Sequence, residues 1–317
     1  MADADVGDDV YAEDPTVNAL QDEFAARVGM EAALYVPSGT MANQLALRLL
    51  APPATVVVAG ARQHMVIYEN GAGGRNAGVQ FHTVPDDDGV LEPTHVRWAV
   101  EAAEHHYPGV GLVCIENTHM PADGRPWPVD AIERVVEAAS GVPVYMDGAR
   151  LFNAEVATGT PAAVYGSAVT ALMCCLSKGL AAPVGSLLAG PADLVGAARA
   201  ERQRLGGGMR QAGVIAAAGL VALRTMVDRL ADDHERARRL ADAVAERWPE
   251  AGFDPERVVT NMVIFGHRDP GRLLGHLASE GVLAGTIAPG VVRLVTHHDV
   301  DDDGVARACK ALASAPA

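Results

Sequence analysis

The 317 residues carry a formal net charge of -15 at pH 7, which argues against nucleic acid or an anionic membrane as the main partner. No apolar run approaches the ~20 residues of a spanning helix, and Met1 to Asp9 is acidic, so a cytoplasmic chain of one large or two modest domains is expected. Cys114, Cys174 and Cys175 lie in apolar runs and Cys309 in a helical one, without CxxC spacing; they read as core residues, and no metal is expected to carry chemistry.

Asp14-Pro15 followed by Val17, Leu20, Phe24, Val28 and Gly29 has a cap, a proline at the first helical position, apolar residues at helical spacing and a terminating glycine. A strand over 32–36 follows, and Pro37-Ser38-Gly39-Thr40 opens a helix running to Leu50. Backbone N–H groups and hydroxyls at such a helix start can hold a phosphate, although Ser or Thr there is also an ordinary helix cap. Strands rich in valine are then expected at 55–59, 79–84, 110–115, 142–146, 169–176 and 186–189, with helices at about 92–105, 128–139 and 191–204. This alternation is the α/β pattern of a sheet buried on both faces, whose sites lie at the carboxyl ends of the strands.

Those ends carry chemistry. Gly60 to His64 follows the strand at 55–59, Glu116-Asn117-Thr118-His119 ends the one at 110–115, Asp147-Gly148-Ala149-Arg150 ends 142–146, and Ser177-Lys178 ends 169–176. Two imidazoles, a carboxylate, a guanidinium and an amine are thus expected on one edge. Only Lys178 and Lys310 among the 25 Lys and Arg residues are lysines. A chain that uses arginine nearly everywhere keeps lysine where arginine fails, as in forming a Schiff base. Leu205 to Gln211 is glycine-rich, and an alanine-rich helix is expected from there through Leu230. The pattern changes near Ala231, giving a boundary between 1–230 and 231–317. In the second part Arg293 interrupts the apolar run 291–295, where a buried guanidinium calls for an anion such as a substrate carboxylate. The acidic runs 86–88 and 299–303 read as solvated turns, and His297-His298 lacks a third metal ligand.

A Schiff-base lysine, an aspartate after a strand and a phosphate cradle are what pyridoxal phosphate requires. The runs Gly7 to Tyr11, Asp14 to Asn18, Pro37 to Asn43, Glu116 to His119, Asp147 to Asn153, Ser177 to Leu180 with Pro183 to Ser186, Gly206 to Gln211 and Val292 to His297 together resemble the low-specificity L-threonine aldolase family, grouped with the β-eliminating lyases, from about residue 7 to 300. The resemblance implies an aspartate-aminotransferase-like fold: a mixed, mostly parallel sheet in a large domain with a small C-terminal α/β domain. It implies that Lys178 holds the cofactor aldehyde, Asp147 pairs with the pyridine nitrogen and His64 stacks on the ring. Ser38, Gly39, Thr40 and Ser177 would hold the phosphate, with Arg210 supplied by a neighbouring subunit. Arg150 would lie near the cofactor's phenolic oxygen and the substrate carboxylate, which Arg293 clamps. His119 would sit by the β-hydroxyl, and Tyr11 would reach across a subunit interface in a dimer of dimers.

The implied reaction is cleavage of threonine or allo-threonine to glycine and an aldehyde. Alternatives are a β-eliminating lyase, an aldolase for bulkier β-hydroxy amino acids of the phenylserine type, or a cofactor-binding protein with impaired catalysis; a Rossmann dehydrogenase lacks its glycine fingerprint. Family members carry an Arg-Ser-Asp-Thr segment ahead of Gly-Asp-Asp-Val-Tyr, so either the start lies upstream or the carboxylate site lacks a serine contact.

Overall fold

The computed structural model describes residues 1–102 and 106–316. Seven strands, β1 (Ala32–Val36), β2 (Val56–Gly60), β3 (Gln80–Val84), β4 (Val110–Glu116), β5 (Val144–Asp147), β6 (Ala171–Cys175) and β7 (Ser186–Gly190), form one sheet in the order β1-β7-β6-β5-β4-β2-β3. Only β7 runs against its neighbours. The parallel run β6-β5-β4-β2-β3 therefore points all its carboxyl ends to one edge.

Alternate strand residues feed two separate cores. Val56 and Val58 join Leu20, Phe24 and Trp127 on one face, while Val57 and Ala59 join Leu45, Leu47 and Met65 on the other. Every residue of β2, β5, β6 and β7 is buried, which explains why they are apolar apart from Asp147 and Ser186 and the Tyr145 hydroxyl at or near strand ends. β3 departs from that expectation: as the edge strand it has β2 alone for a neighbour, and Gln80 and Thr83 are exposed. The first helix, Pro15–Val28, starts at Asp14, whose carboxylate accepts from Val17 N, and ends at Gly29 in the left-handed conformation.

A second sheet, antiparallel in the order β8 (Met262–Gly266), β10 (Val291–Val295) and β9 (Gly285–Ala288), packs with the helices Leu230–Arg247, Pro270–Ser279 and Asp302–Ala313 around its own core. Two expected elements differ. The alanine-rich helix stops at Thr225, whose hydroxyl donates back to Val221 O, and a turn separates it from the helix beginning at Leu230. The helix expected over 92–105 spans Pro93–Glu101, and residues 103–105 lie outside those described. Among the described residues no helix is long and apolar enough to cross a membrane.

Candidate active site

Four chain segments meet at the carboxyl edge of the parallel strands. Ser38, Gly39, Thr40 and Asn43 from the start of the helix Gly39–Leu50, His64 after β2, Asp147 at the end of β5, and Ser177 and Lys178 after β6 line a single cleft, with Cys175 and Met173 in its wall. It continues into a second recess lined by Arg150, Ser177 and Lys178 on one side and by Asn261, Val295 and His297 from the smaller sheet's elements on the other. The fold thus brings together Ser38, Gly39, Thr40, His64, Asp147, Arg150, Ser177 and Lys178.

The helix start is built for close approach. Ser38 caps it by accepting from Met41 N at 3.2 Å, which leaves the first N–H groups of the helix directed outward. A Cβ at Gly39 would lie 2.8 Å from both Cys175 Sγ and Met173 Cε, so only glycine fits between this turn and β6.

Behind His64 and Asp147 lies a polar network that is complete within the chain. Asn43 Nδ2 donates to Glu69 Oε1 (2.7 Å) and to Asp147 Oδ2 (2.8 Å), and Asn43 Oδ1 accepts from Tyr145 OH (2.8 Å). Glu69 Oε2 accepts from Gln44 Nε2 at 2.7 Å, and its other oxygen lies 3.2 Å from His64 Nδ1. Asp147 Oδ1 accepts from Ala149 N. The Glu69 hydrogen bond raises the His64 pKa above its usual value, against burial, with the Asp147 and Glu69 charges acting in the same direction as the bond. Glu116, buried at the end of β4, accepts from His64 N (2.6 Å) and Met120 N (2.9 Å), and burial pushes its carboxyl above the usual range.

The guanidinium side is different. Arg150 is half-buried with Nε lacking a hydrogen-bond partner, and among the described residues neither Arg150 nor Arg293 pairs with a carboxylate. Burial lowers the Arg150 pKa, and the neighbouring Arg293 charge, in the middle of β10, lowers it further. Arg150 lines the recess, Arg293 lies within electrostatic reach of it, and with no ion pair to a carboxylate among the described residues the two guanidiniums favour an anion there. The cleft residues also fit pyridoxal phosphate: an amine, a carboxylate held in place at one oxygen by a backbone N–H, and an N-terminal helix turn narrowed to glycine.

The family model for beta-eliminating lyases matches residues 1–268. The chain belongs to the beta-eliminating lyase family. Low-specificity L-threonine aldolase 1 of Arabidopsis thaliana is 37% identical over 96% of this chain and 88% of its own length. Low specificity L-threonine aldolase of Escherichia coli (strain K12) is 37% identical over 96% of this chain and 91% of its own. The solved structure of Leishmania major threonine aldolase superposes with a TM-score of 0.80 at 19% identity, covering 98% of this chain and 92% of that one. Of the residues expected at the site, His119 and Arg293 line neither recess, and Tyr11 and Arg210, expected to act in a neighbouring subunit's site, lie on this chain's own surface. Tyr11 is 68% exposed. It follows Asp9, which is buried and held by Arg199 and Arg202 at 3.2 and 2.6 Å, so the segment is anchored while the tyrosine faces outward. Arg210 lies on the same surface, its guanidinium 2.6 Å from Asp8. His119 is fully buried, with Nε2 2.9 Å from Asp86 Oδ2.

Asp86 corrects the reading of 86–88 as a solvated turn. Asp87 and Asp88 are exposed, but the Asp86 side chain is 2% exposed and also accepts from Arg62 N (3.0 Å) and Arg62 Nε (3.1 Å). Asn43, Glu69, Asp86 and Glu116 are the polar residues that reading strand ends passed over. Asn43 and Glu116 sat in recognised motifs without a role, and Glu69 five positions after His64 had no signal other than its charge.

Proposed function

We infer that this chain is a pyridoxal-phosphate-dependent carbon-carbon lyase that cleaves L-threonine or L-allo-threonine to glycine and an aldehyde. The observation that carries this reading is the meeting, in one continuous cleft, of Lys178, Asp147 and Arg150, whose guanidinium pairs with no carboxylate among the described residues and feels the charge of Arg293. Amine, carboxylate and paired guanidinium groups are what an α-amino acid and an aldehyde cofactor together require. The names of the relatives support the substrate class.

Bound pyridoxal phosphate supplies an electron sink conjugated to the substrate's α-carbon. Lys178, whose amine lines the cleft, would hold the cofactor through its aldehyde carbon. Asp147, held at Oδ1 by Ala149 N and at Oδ2 by Asn43 Nδ2, would keep the pyridine nitrogen protonated through a remaining lone pair of its carboxylate. Ser38, Gly39, Thr40 and Ser177 would hold the phosphate, and His64 would lie against the ring. Arg150 and Arg293 bind the substrate carboxylate bidentately or from two sides, which orients the bond to be broken. His119 belongs to the β-hydroxyl side.

Arg210 and Tyr11 act in the site of a neighbouring copy, a reading supported by their exposure on one surface beside Asp8. The working form is then a homo-oligomer, a dimer of dimers, located in the cytoplasm. Residues 1–230 form the cofactor-binding unit and 231–317 the smaller unit that carries Arg293. The test is release of aldehyde and glycine in equal amounts from L-allo-threonine or L-threonine by purified protein with added pyridoxal phosphate. Ammonia and a keto acid in place of glycine would mean elimination, and neither pair of products would end the reading.

A further inference from the structure

The smaller sheet and its three helices do not close over one another completely. Leu240 from the helix Leu230–Arg247, Leu277 from Pro270–Ser279, Leu294 from β10, and Ala308 and Leu312 from Asp302–Ala313 form the floor of a cavity of about 360 Å³. Each of these residues is buried and belongs to this sheet's own core. Native cores seldom leave voids much larger than a water molecule, whereas a volume of about 300 Å³ or more is the size of a small-molecule site. Apolar atoms that face such a volume forgo the contacts they would make in a filled core. Leu283 lines the mouth and is 91% exposed, so a large apolar side chain stands in water beside an apolar hollow.

The rim carries two opposite charges. Arg307, on the helix Asp302–Ala313, is exposed, and among the described residues it forms no ion pair. Its guanidinium lies over Gly281, where a Cβ would be 3.6 Å from Nη1. Asp299 stands elsewhere on the same rim, with His297 Nδ1 3.8 Å from its Oδ2. That Nδ1 accepts from Asp299 N at 3.3 Å, so it carries the lone pair and cannot donate to the carboxylate. A guanidinium and a carboxylate are thus both open to a ligand beside an apolar floor. A zwitterion with an apolar tail matches all three features.

We propose that this cavity is a binding site for an apolar α-amino acid of about leucine's size, distinct from the cleft that contains Lys178. The ligand's carboxylate binds Arg307 and its ammonium binds Asp299. Its side chain lies on Leu240, Leu277, Leu294 and Leu312, with Leu283 folding over it. The two sites share a wall, because Val295, His297 and Asp299 also line the recess that contains Arg150 and Lys178. Between them Thr296 is buried, its N donating to Asn261 O at 3.1 Å and its hydroxyl to Asp233 O at 2.6 Å. The backbone of the wall is therefore pinned, which keeps the hollow separate from the recess. The proposal does not depend on which reaction the cleft carries out.

A test must distinguish the two sites, since the cleft is itself read as binding amino acids. The experiment is saturation-transfer NMR of L-leucine with the holoenzyme, with and without saturating glycine, an amino acid that has no tail and occupies the cofactor-bearing cleft. In both cases transfer to the leucine methyls should saturate at about millimolar concentration or below, as expected for a ligand of about nine heavy atoms. With glycine present, leucine should leave the cofactor's visible absorption unchanged. L-Alanine, with its shorter tail, should bind at least about tenfold more weakly than leucine. Isocaproate, which keeps tail and carboxylate but lacks the ammonium, should bind about threefold more weakly. Arg307→Leu should weaken leucine about tenfold and Asp299→Asn about threefold, both with unchanged melting temperature because both side chains are exposed. Absence of saturable transfer overturns the proposal, as does transfer that glycine suppresses or that Arg307→Leu leaves intact, since leucine would then sit in the cleft or elsewhere. Isocaproate binding as tightly as leucine overturns the amino-acid assignment. None of these readouts uses aldehyde release, so failure of the aldolase reading leaves the test standing.

Discussion

The two sides of the cleft meet their charges in different ways. On the side of β2 and β5, Asn43, Gln44 and Ala149 N give Glu69 and Asp147 hydrogen-bond partners from the chain itself, and Tyr145 OH holds Asn43. On the side shared with the smaller sheet, Arg150 feels the charge of Arg293, and among the described residues no carboxylate forms an ion pair with either. A completed network is a scaffold assembled by folding, and it holds its groups in register before anything binds. An uncompensated pair of cations is stable only because part of it reaches water, and it is best satisfied by an anionic ligand. The contrast separates residues that orient from residues that bind.

Substitutions on the two sides should therefore fail in different ways. The largest effect is expected from Lys178→Ala, which stands between the sides and has no substitute: aldehyde release from L-allo-threonine should fall below detection, and normal turnover would remove the covalent role. Arg293→Leu comes next. Loss of a charge-assisted hydrogen bond costs ~1.5–3 kcal/mol, so kcat/KM should fall about 10- to 100-fold, mainly through KM, with no loss of thermal stability in the cofactor-free protein. A stability loss as large as the binding loss would erase the distinction between the sides. Asn43→Leu should behave oppositely. It strips a donor from both buried carboxylates and a partner from Tyr145 OH, so the cofactor-free protein should melt at lower temperature, with a cost of about 1–3 kcal/mol for each group left unpaired; an unchanged melting curve would show that the network is not a scaffold.

The smallest effect concerns pH. His64 has its pKa raised in the folded protein by Glu69, so the stabilisation from this pair is fully present below the ordinary histidine value of about 6.5 and is lost as pH rises through the higher native value. Comparing melting of wild type and Glu69→Gln across pH 5 to about 9 should show a gap that narrows with rising pH. A gap that widened would mean the pair does not favour the protonated ring.

Much of this molecule was legible along the chain because its signals are local. The cap and glycine around 15–28, the valine-rich runs of a doubly buried sheet, and His64, Asp147 and Lys178 after their strands each depend on a few neighbouring residues. The parallel order of β6, β5, β4 and β2 then makes strand ends coincide in space, which is why reading the ends found the cleft. Sequence alone also singled out Lys178 by its rarity and Arg293 by its apolar setting.

Only the tertiary structure decided which charges are met. Asp86 looked like one of three solvated aspartates, yet the glycine at position 60 and the packing of three strand ends bury it between His119 and Arg62. Glu69 reaches Asn43 and Gln44 across 26 and 25 residues, and Asn43 reaches Asp147 across 104. Tyr11 and Arg210, assigned by motif to a site, lie on the outside of their own chain. Residue type and local periodicity determine what a group is and which element carries it. Hydrogen-bond partnership and burial depend on separations the chain closes only when the whole sheet has formed, and they divide the orienting side of this cleft from its binding side.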